Sequence, residues 1–190
     1  MTHKITPIPL FDSLEYLELT HARQASDIES RLPENLTAKD ALSDYKHSCQ
    51  FLEAYRGSAE TFKSYRREIE RLFQWTWFVQ GKPLKELRRK EIETFLEFCQ
   101  APFENWIGVK QVPRFFDKDG LRVANSEWRP FVVSVSKKQH RDGHVPDTKM
   151  YTLSQSALQA IFAILSSFFN YLEQEEYLFG NPVAQIRQKK

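Results

Sequence analysis

The sequence contains little cysteine and glycine, and it has no long apolar run. Two cysteines and six glycines occur in 190 residues. No stretch approaches the roughly 18 to 20 consecutive apolar residues of a membrane-spanning helix. The first residues, MTHKITPIPLFDS, lack the apolar core of a signal peptide. We therefore expect a cytoplasmic protein without a membrane partner.

The scarce residue types also exclude several kinds of site. Cys49 and Cys99 lie in segments with a helical pattern and not in a loop framework, which predicts free thiols in a reducing compartment. The glycines are scattered, so there is no glycine-rich phosphate loop, and no G-x-S-x-G, zinc or EF-hand pattern occurs. His140 and His144 are spaced like metal ligands, but no cysteine or other histidine accompanies them. We predict no metal and no other cofactor.

Apolar and aromatic residues, in contrast, are abundant. Hydrophobic residues make up 41% of the chain and aromatic residues 14%, with 15 Phe and 4 Trp. This composition is typical of a packed globular protein and excludes a disordered or collagen-like chain. The length suits one domain with extensions.

The net charge of +2 conceals two basic blocks. Residues 58–90 contain 9 Lys and Arg against 4 Asp and Glu, and residues 103–152 contain 9 against 6. Local patches of positive charge govern the binding of polyanions more than the total charge does. The two blocks are therefore the first places to look for a binding surface.

Three predicted helices follow an acidic and weakly patterned segment, residues 1–36, which we interpret as an arm or an extra helix. The motif TAKD at 37–40 has the form of a capping box and predicts a helix that ends at Gly57. A second helix is predicted over about 58–79 and a third over 84–100. The apolar stripe of the second helix consists of Phe62, Tyr65, Ile69, Leu72, Phe73 and Thr76.

The pattern changes between residues 103 and 151, where no helical period is sustained. The stretch WRPFVVSVSKKQ alternates as a β-strand does, and HRDGHVPD has the chemistry of a turn. A strong helical pattern returns after TLSQ at 152–155, a second capping-box motif, and ends before Gly180. The sequence thus predicts a mainly α fold: a bundle of four to five helices with a β-hairpin or irregular insertion before the last helix.

The second helix carries a row of cations on the side opposite its apolar stripe. Lys63, Arg67 and Arg71 are spaced four residues apart, and Gln74 continues the row. Like charges at this spacing repel by roughly 0.2 to 0.5 kcal/mol per pair. A phosphate backbone is the natural partner of such a row, because its neutralisation releases counterions. A merely solvated face, relieved by nearby glutamates, is the alternative.

Polar residues elsewhere extend the candidate surface. Thr61 and Ser64 are neutral hydrogen-bond donors beside Lys63, and the start of the last helix carries four more polar residues. Further cations lie in the insertion. Capping and ordinary solvated surface are the alternatives for these residues. Trp75 and Phe78 either stack on bases or a partner, or form a second packing surface. The full candidate DNA-binding set is Thr61, Lys63, Ser64, Arg67, Arg71, Gln74, Lys137, Lys138, Arg141, Ser154, Gln155, Ser156 and Gln159.

Three segments, in this order, resemble the N-terminal core-binding domain of tyrosine recombinases, the phage integrase family. They are SAETFKSYRREIERLFQW, PLKELRRKEIETFLEF and LSQSALQAIFAILSSFFNYLEQEEYLFGNPVAQI. The resemblance covers residues 40–190 except the insertion at 103–151. It implies a helical fold similar to the SAM domain, with residues 37–190 as the core-binding domain.

The resemblance implies a module that grips a recombination half-site in double-stranded DNA, together with other protomers of the recombinase. By position it assigns DNA contacts to Thr61, Lys63, Ser64 and Arg67, and to the four polar residues at the start of the last helix. Arg71, Gln74 and the insertion cations depend on the charge pattern alone. It also implies a bacterial or phage protein, cytoplasmic and associated with the nucleoid when bound.

This sequence departs from the family's pattern in its catalytic residues. The catalytic Arg, Lys, His-x-x-Arg and Tyr nucleophile of these recombinases belong to a separate C-terminal domain, and no histidine here is followed three residues later by Arg. We expect this chain to bind DNA without being an enzyme itself. A helical protein-interaction module without DNA binding is the alternative function.

Overall fold

The structure, a computed structural model, describes residues 3–186. The fold is mainly α-helical, as predicted. Helices α2, α3 and α6 contact one another, α1 packs on α2, and α4 packs on α6. The helices of the described part are α1 (Leu17–Arg31), α2 (Ala38–Glu53), α3 (Ala59–Phe78), α4 (Arg89–Gln100), α5 (Lys137–Arg141) and α6 (Gln155–Gln174), and its strands are β1 (Ile107–Gly108), β2 (Phe115–Lys118), β3 (Leu121–Ala124) and β4 (Phe131–Val132).

Local capping signals locate two helix starts correctly and a third within two residues. Thr37 caps α2, since its hydroxyl accepts a hydrogen bond from the Asp40 amide at 3.2 Å. Ser58 stands at the N-cap of α3, although its hydroxyl donates to the Thr61 hydroxyl instead of capping the backbone. The cap of α6 is Ser154, whose hydroxyl accepts from the Ala157 amide. The N-cap of α6 therefore lies two residues later than the TLSQ motif predicts, and it is not a capping box, because the third helical residue is Ala157.

The helix predicted over 84–100 is interrupted. A single 3₁₀ turn covers Leu84–Glu86, and α4 begins only at Arg89. The chain is extended at Leu87, which is buried like Leu84 before it. The Glu91 carboxylate accepts the Arg88 amide at 2.9 Å and so starts the new helix. Leu84 and Leu87 are thus buried by the 3₁₀ turn and the extended residue that precede α4.

The residues before α1 form an extended strap, residues 5–12, that belongs to the core. Leu10 and Phe11 are fully buried. The strap has no regular secondary structure, so buried side chains of other elements satisfy its backbone. The Gln74 amide donates to the Ile8 carbonyl at 2.7 Å, and the Tyr45 hydroxyl donates to the Leu10 carbonyl at 2.8 Å. The strap and α1 therefore share one core with the rest of the chain.

The insertion does contain a β-hairpin, but not where the alternating stretch predicts it. Strands β2 and β3 pair antiparallel around Asp119 and Gly120, both of which have positive φ, as a tight hairpin turn requires. Within WRPFVVSVSKKQ, only β4 is a strand, and it pairs with β1 in parallel. The end of that stretch enters the short helix α5 instead.

A buried carboxylate joins α3 to both the strap and the insertion. Glu70 is fully buried, and its Oε1 accepts the Leu10 amide at 2.8 Å and pairs with Arg114 Nη1 at 2.6 Å. Burial raises the pKa of Glu70, while Arg114 and the amides of Leu10 and Phe11 act in the opposite direction. A second ion pair, between the buried Asp12 and the partly exposed Arg122 at 2.8 Å, joins the strap to β3.

Asp44 plays a similar role at the other end of the bundle. It lies on α2, is 1% exposed, and accepts hydrogen bonds from the Leu84 amide and from the Tyr177 hydroxyl beyond α6. Burial raises the pKa of this carboxyl from 3.8 to about 6, and its hydrogen bonds oppose that shift. The charged form is thus held in place at a cost in desolvation.

The structure bears on two predictions, the state of the cysteines and the absence of a membrane-spanning helix. Cys49 and Cys99 are free and buried, which confirms the prediction of free thiols. Burial raises the pKa of Cys49 to about 12, so this thiol is unreactive near neutral pH. No helix in the range 3–186 is both long enough and apolar enough to cross a bilayer.

We predict that Glu70→Ala lowers the free energy of unfolding by about 3 to 5 kcal/mol, because it leaves the Arg114 charge buried and two strap amides without an acceptor. Urea unfolding followed by circular dichroism measures the change. Glu60→Ala removes an exposed carboxylate from the same helix and should change stability by less than about 0.5 kcal/mol. Equal effects of the two substitutions would contradict the role given to Glu70.

We predict that Asp44 makes the protein less stable as the pH rises from about 4 to 6. The folded state binds the Asp44 proton more tightly than the unfolded state does. The protonated carboxyl therefore adds its whole stabilising free energy below the unfolded pKa of 3.8, and this free energy falls to zero as the pH rises past the folded pKa of about 6. Relative to Asp44→Asn, the unmodified protein should lose roughly 2 to 3 kcal/mol across that range. Urea unfolding at pH 4, 5, 6 and 7 measures the difference. The control is Asp119→Asn at the exposed hairpin turn, and a difference that does not vary with pH would refute the prediction.

Candidate nucleic-acid interface

An open groove of about 470 Å³ runs along the surface of α3. Its other sides are formed by the insertion and by the start of α6. Its lining includes parts of the two basic blocks seen in the sequence, which the fold brings together here. Glu68 is the one carboxylate among the described residues that line it. The cations that line the groove are Lys63, Arg66, Arg67, Arg71, Arg114 and Arg129.

Two cations of α3 stand at the rim with their charges open to solvent. The side chains of Lys63 and Arg67 are 61% and 51% exposed. Lys63 pairs with Glu60 at 3.0 Å, but Glu60 is 87% exposed, and such surface pairs contribute little to stability. Arg67 donates to Glu68 at 2.7 Å. Both cations remain accessible to an incoming anion.

Arg71 lies deeper and is largely engaged within the protein. Its side chain is 11% exposed and pairs with Glu68 at 3.0 Å. Its Nε donates to the Pro130 carbonyl at 2.8 Å, and its guanidinium lies 4.7 Å from the centre of the Phe131 ring. Arg71 therefore mainly holds the insertion against α3. Because it also lines the groove, its charge adds to the positive electrostatic potential there.

Gln74 does not continue the exposed row, and the prediction that it faces DNA is wrong. It is fully buried, and its amide nitrogen is bound to the strap at Ile8. The helical wheel places it correctly in line with Arg71. The strap covers that part of the helix, which the periodicity of α3 alone cannot reveal.

The insertion forms the second wall of the groove with residues 111–114, 128–130 and 132. Arg114 lies 4.8 Å from the centre of the Trp128 ring and is held by Glu70. Arg129 donates from Nη1 to the carbonyls of Ser126 and Trp128 at 2.8 and 2.7 Å. Sequence reasoning missed these two arginines. The basic charge of block 103–152 was a signal, but it did not show which cations would meet α3.

Arg66 is a further cation that the four-residue spacing did not select. It lines the groove beside Arg114 and lies against the Phe62 ring, 5.1 Å from its centre. Its Nε is buried and has no hydrogen-bond acceptor among the residues that the structure describes. Burial lowers the pKa of Arg66 to about 10, the nearby Arg114 charge acts in the same direction, and Glu70 and Asp12 oppose the shift.

The start of α6 borders the groove with small and apolar side chains, chiefly Ala157, Ala160 and Ile161. The predicted polar set on this helix is exposed beside the groove, and none of its members lines it. Thr61 and Ser64 are half-buried and also lie outside the lining. The polar set on α6 is Ser154, Gln155, Ser156 and Gln159.

The insertion cations Lys137, Lys138 and Arg141 lie on the short helix α5. All three are exposed, and none lines the groove. The sequence pattern grouped them with α3 as a clamp, whereas the lining arginines of the insertion are others. Their assignment to DNA stays a prediction.

Trp75 and Phe78 do not form an exposed stacking surface. They are 2% and 4% exposed, and Trp75 packs on Phe95 of α4. The interpretation as a second packing surface is confirmed, and the stacking alternative is wrong for these two residues. Along α3, residues 72–78 are all buried, so solvent reaches only its first half.

Comparisons of the chain with family profiles, with curated proteins and with solved structures find no match. The function of the chain is therefore inferred from the groove itself. Six cations from two elements line one wall or the other, and within residues 3–186 only three carboxylates, Glu60, Glu68 and Glu70, pair with them. A groove of this kind concentrates positive potential and attracts extended anions.

Proposed function

We propose that this chain is a DNA-binding module, and that double-stranded DNA binds along the groove between α3 and the insertion. The observation that supports it most is the lining of that groove, in which cations from sequence-distant blocks face the same space. The two exposed cations, Lys63 and Arg67, are four residues apart, or about 6 Å along the helix axis. That length suits successive phosphates of a strand better than one small anion.

The finer part of the proposal is that the module belongs to a site-specific tyrosine recombinase and grips a recombination half-site. Its support is the order of the three resembling segments together with the mainly helical fold. The DNA-binding role does not require that origin. The coding sequence beyond Lys190 tests it: an Arg, a His-x-x-Arg and a late Tyr would support a recombinase. The proposal is that the chain alone binds DNA and does not cleave it.

The alternative function, a protein-interaction module, would dock a partner through exposed aromatic side chains at Trp75 and Phe78 or through the insertion. Trp75 and Phe78 are buried within the bundle and are not available to a partner. The insertion remains, but much of its inner side is packed against α3 through Arg71 and Arg114. No observation favours a protein partner over DNA in the groove.

We predict that the rim variant, Lys63→Glu with Arg67→Glu, binds duplex DNA at least about tenfold more weakly, whatever the DNA sequence, because both cations are open to solvent at the rim. Fluorescence anisotropy with two unrelated duplexes measures the loss. The matched control, Lys39→Glu with Lys90→Glu, makes the same charge change at exposed positions outside the groove and should have a much smaller effect. Equal losses in both variants would show that only net charge matters.

We predict that the affinity for DNA falls steeply with salt. For about five phosphate contacts, a plot of the logarithm of the association constant against the logarithm of salt concentration should have a slope of about −4 to −5. The rim variant should reduce the magnitude of that slope by about 2, because two phosphates are no longer neutralised. Titrations between about 50 and 200 mM salt test both values. An affinity indifferent to salt would refute electrostatic binding in the groove.

A further inference from the structure

Two of the six groove cations have no carboxylate partner within the described residues, and they lie on opposite walls. Lys63 pairs with Glu60, Arg67 and Arg71 share Glu68, and Arg114 pairs with Glu70. The two that remain are Arg66 on α3 and Arg129 on the insertion.

Arg66 is in an unfavourable position for a cation in the free protein. Its Nε is buried without an acceptor among the described residues, and Arg114 lies close enough to repel it. Glu70 and Asp12 attract Arg66, but Oε1 of Glu70 is occupied by Arg114 and the strap amides, and its Oε2 accepts no hydrogen bond from Arg66. A buried donor that lacks an acceptor is costly, so an anion that reached Arg66 would remove that cost.

Arg129 is held in a fixed place on the other wall. One nitrogen, Nη1, donates to two backbone carbonyls, and no carboxylate or other acceptor within the range 3–186 takes its Nε or Nη2. The stem of the side chain lies over Gly108, where an added Cβ would come within 3.3 Å of Arg129 Cβ. The guanidinium is thus anchored on one side while its other donors remain unused, which limits the entropy lost when an anion binds.

We propose that Arg66 and Arg129 together bind one phosphate group inside the groove, between α3 and the insertion. A phosphate presents several oxygen acceptors, so it can receive hydrogen bonds from two guanidinium groups on different sides. That the phosphate belongs to a DNA strand rests on the proposed function. Free inorganic phosphate offers the same chemistry and is the other source to be distinguished.

The test replaces each arginine singly with glutamine and measures DNA affinity by anisotropy. We expect Arg129→Gln and Arg66→Gln each to weaken DNA binding about tenfold, as the loss of a charge-assisted hydrogen bond implies. The control is Arg89→Gln, an exposed arginine of α4 outside the groove, which should change affinity less than about twofold.

A readout independent of DNA separates binding from folding. Inorganic phosphate should raise the melting temperature of the unmodified protein and of Arg89→Gln more than chloride does at equal ionic strength, and this surplus should vanish in Arg66→Gln and Arg129→Gln. Arg66→Gln should not lower the melting temperature without phosphate, because it removes a half-buried cation whose buried Nε has no acceptor in the described part of the chain. A merely structural arginine would show the opposite: a less stable free protein with an unchanged response to phosphate.

The outcomes distinguish this inference from the proposed function. If the rim variant loses DNA binding while both glutamine variants keep it, the phosphate site is wrong and the DNA-binding role stands. If no DNA binds but phosphate stabilises the protein through Arg66 and Arg129, the DNA-binding role is wrong and the site takes free phosphate. If neither DNA nor phosphate responds to these residues, the inference is overturned.

Discussion

The arrangement of the molecule depends on one buried carboxylate, that of Glu70. It lies on α3 and binds the strap through the amides of Leu10 and Phe11 and the insertion through Arg114. A carboxylate removed from water is stable only when charge and hydrogen bonds replace its hydration. Because the strap, α3 and the insertion are separate parts of the chain, the bonds to Oε1 of Glu70 also hold the insertion wall of the groove against α3, while the buried Oε2 has no hydrogen-bond partner among the described residues.

The charged residues of helix α3 fall into two groups, those that pair inside the protein and those that face solvent. Its inner carboxylates, Glu68 and Glu70, engage the deeper arginines, and the cations near its start stay in solvent. A row of like charges on a helical wheel therefore overstates the number of groups available to a ligand. What distinguishes the available ones is the exposure of their own side chains, which is 61% for Lys63 and 51% for Arg67 but 11% for Arg71. The Glu60 that faces Lys63 is exposed and replaceable, whereas the Glu68 that faces Arg71 is not.

Local patterns predict the helices and fail where contacts span long stretches of sequence. The stripe of α3 and the cap at Thr37 follow from interactions within about four residues. The prediction for Gln74 fails because its partner, Ile8, lies 66 residues away in a segment without periodicity. The hairpin is misplaced for a different reason: the alternating stretch is longer than the strands that flank Asp119-Gly120, although that dipeptide is the stronger turn signal. Arg129 escapes prediction because charge counts do not show which cations fold to one side.

The second wall changes what the groove can do compared with a single helix. Exposed cations on one helix are screened by salt and fix no orientation, so alone they would bind any polyanion loosely. A wall formed by the insertion reduces solvent access and holds Arg129 in place through backbone carbonyls. In a folded protein, a half-buried cation with a buried donor that lacks an acceptor persists when the surrounding structure determines its position, and such exceptions concentrate at functional sites. Arg66 is such an exception within the described residues. Nε of Arg66 lacks an acceptor and the charge of Arg114 lies nearby, so the proposed phosphate would both accept a hydrogen bond from Arg66 and offset that repulsion.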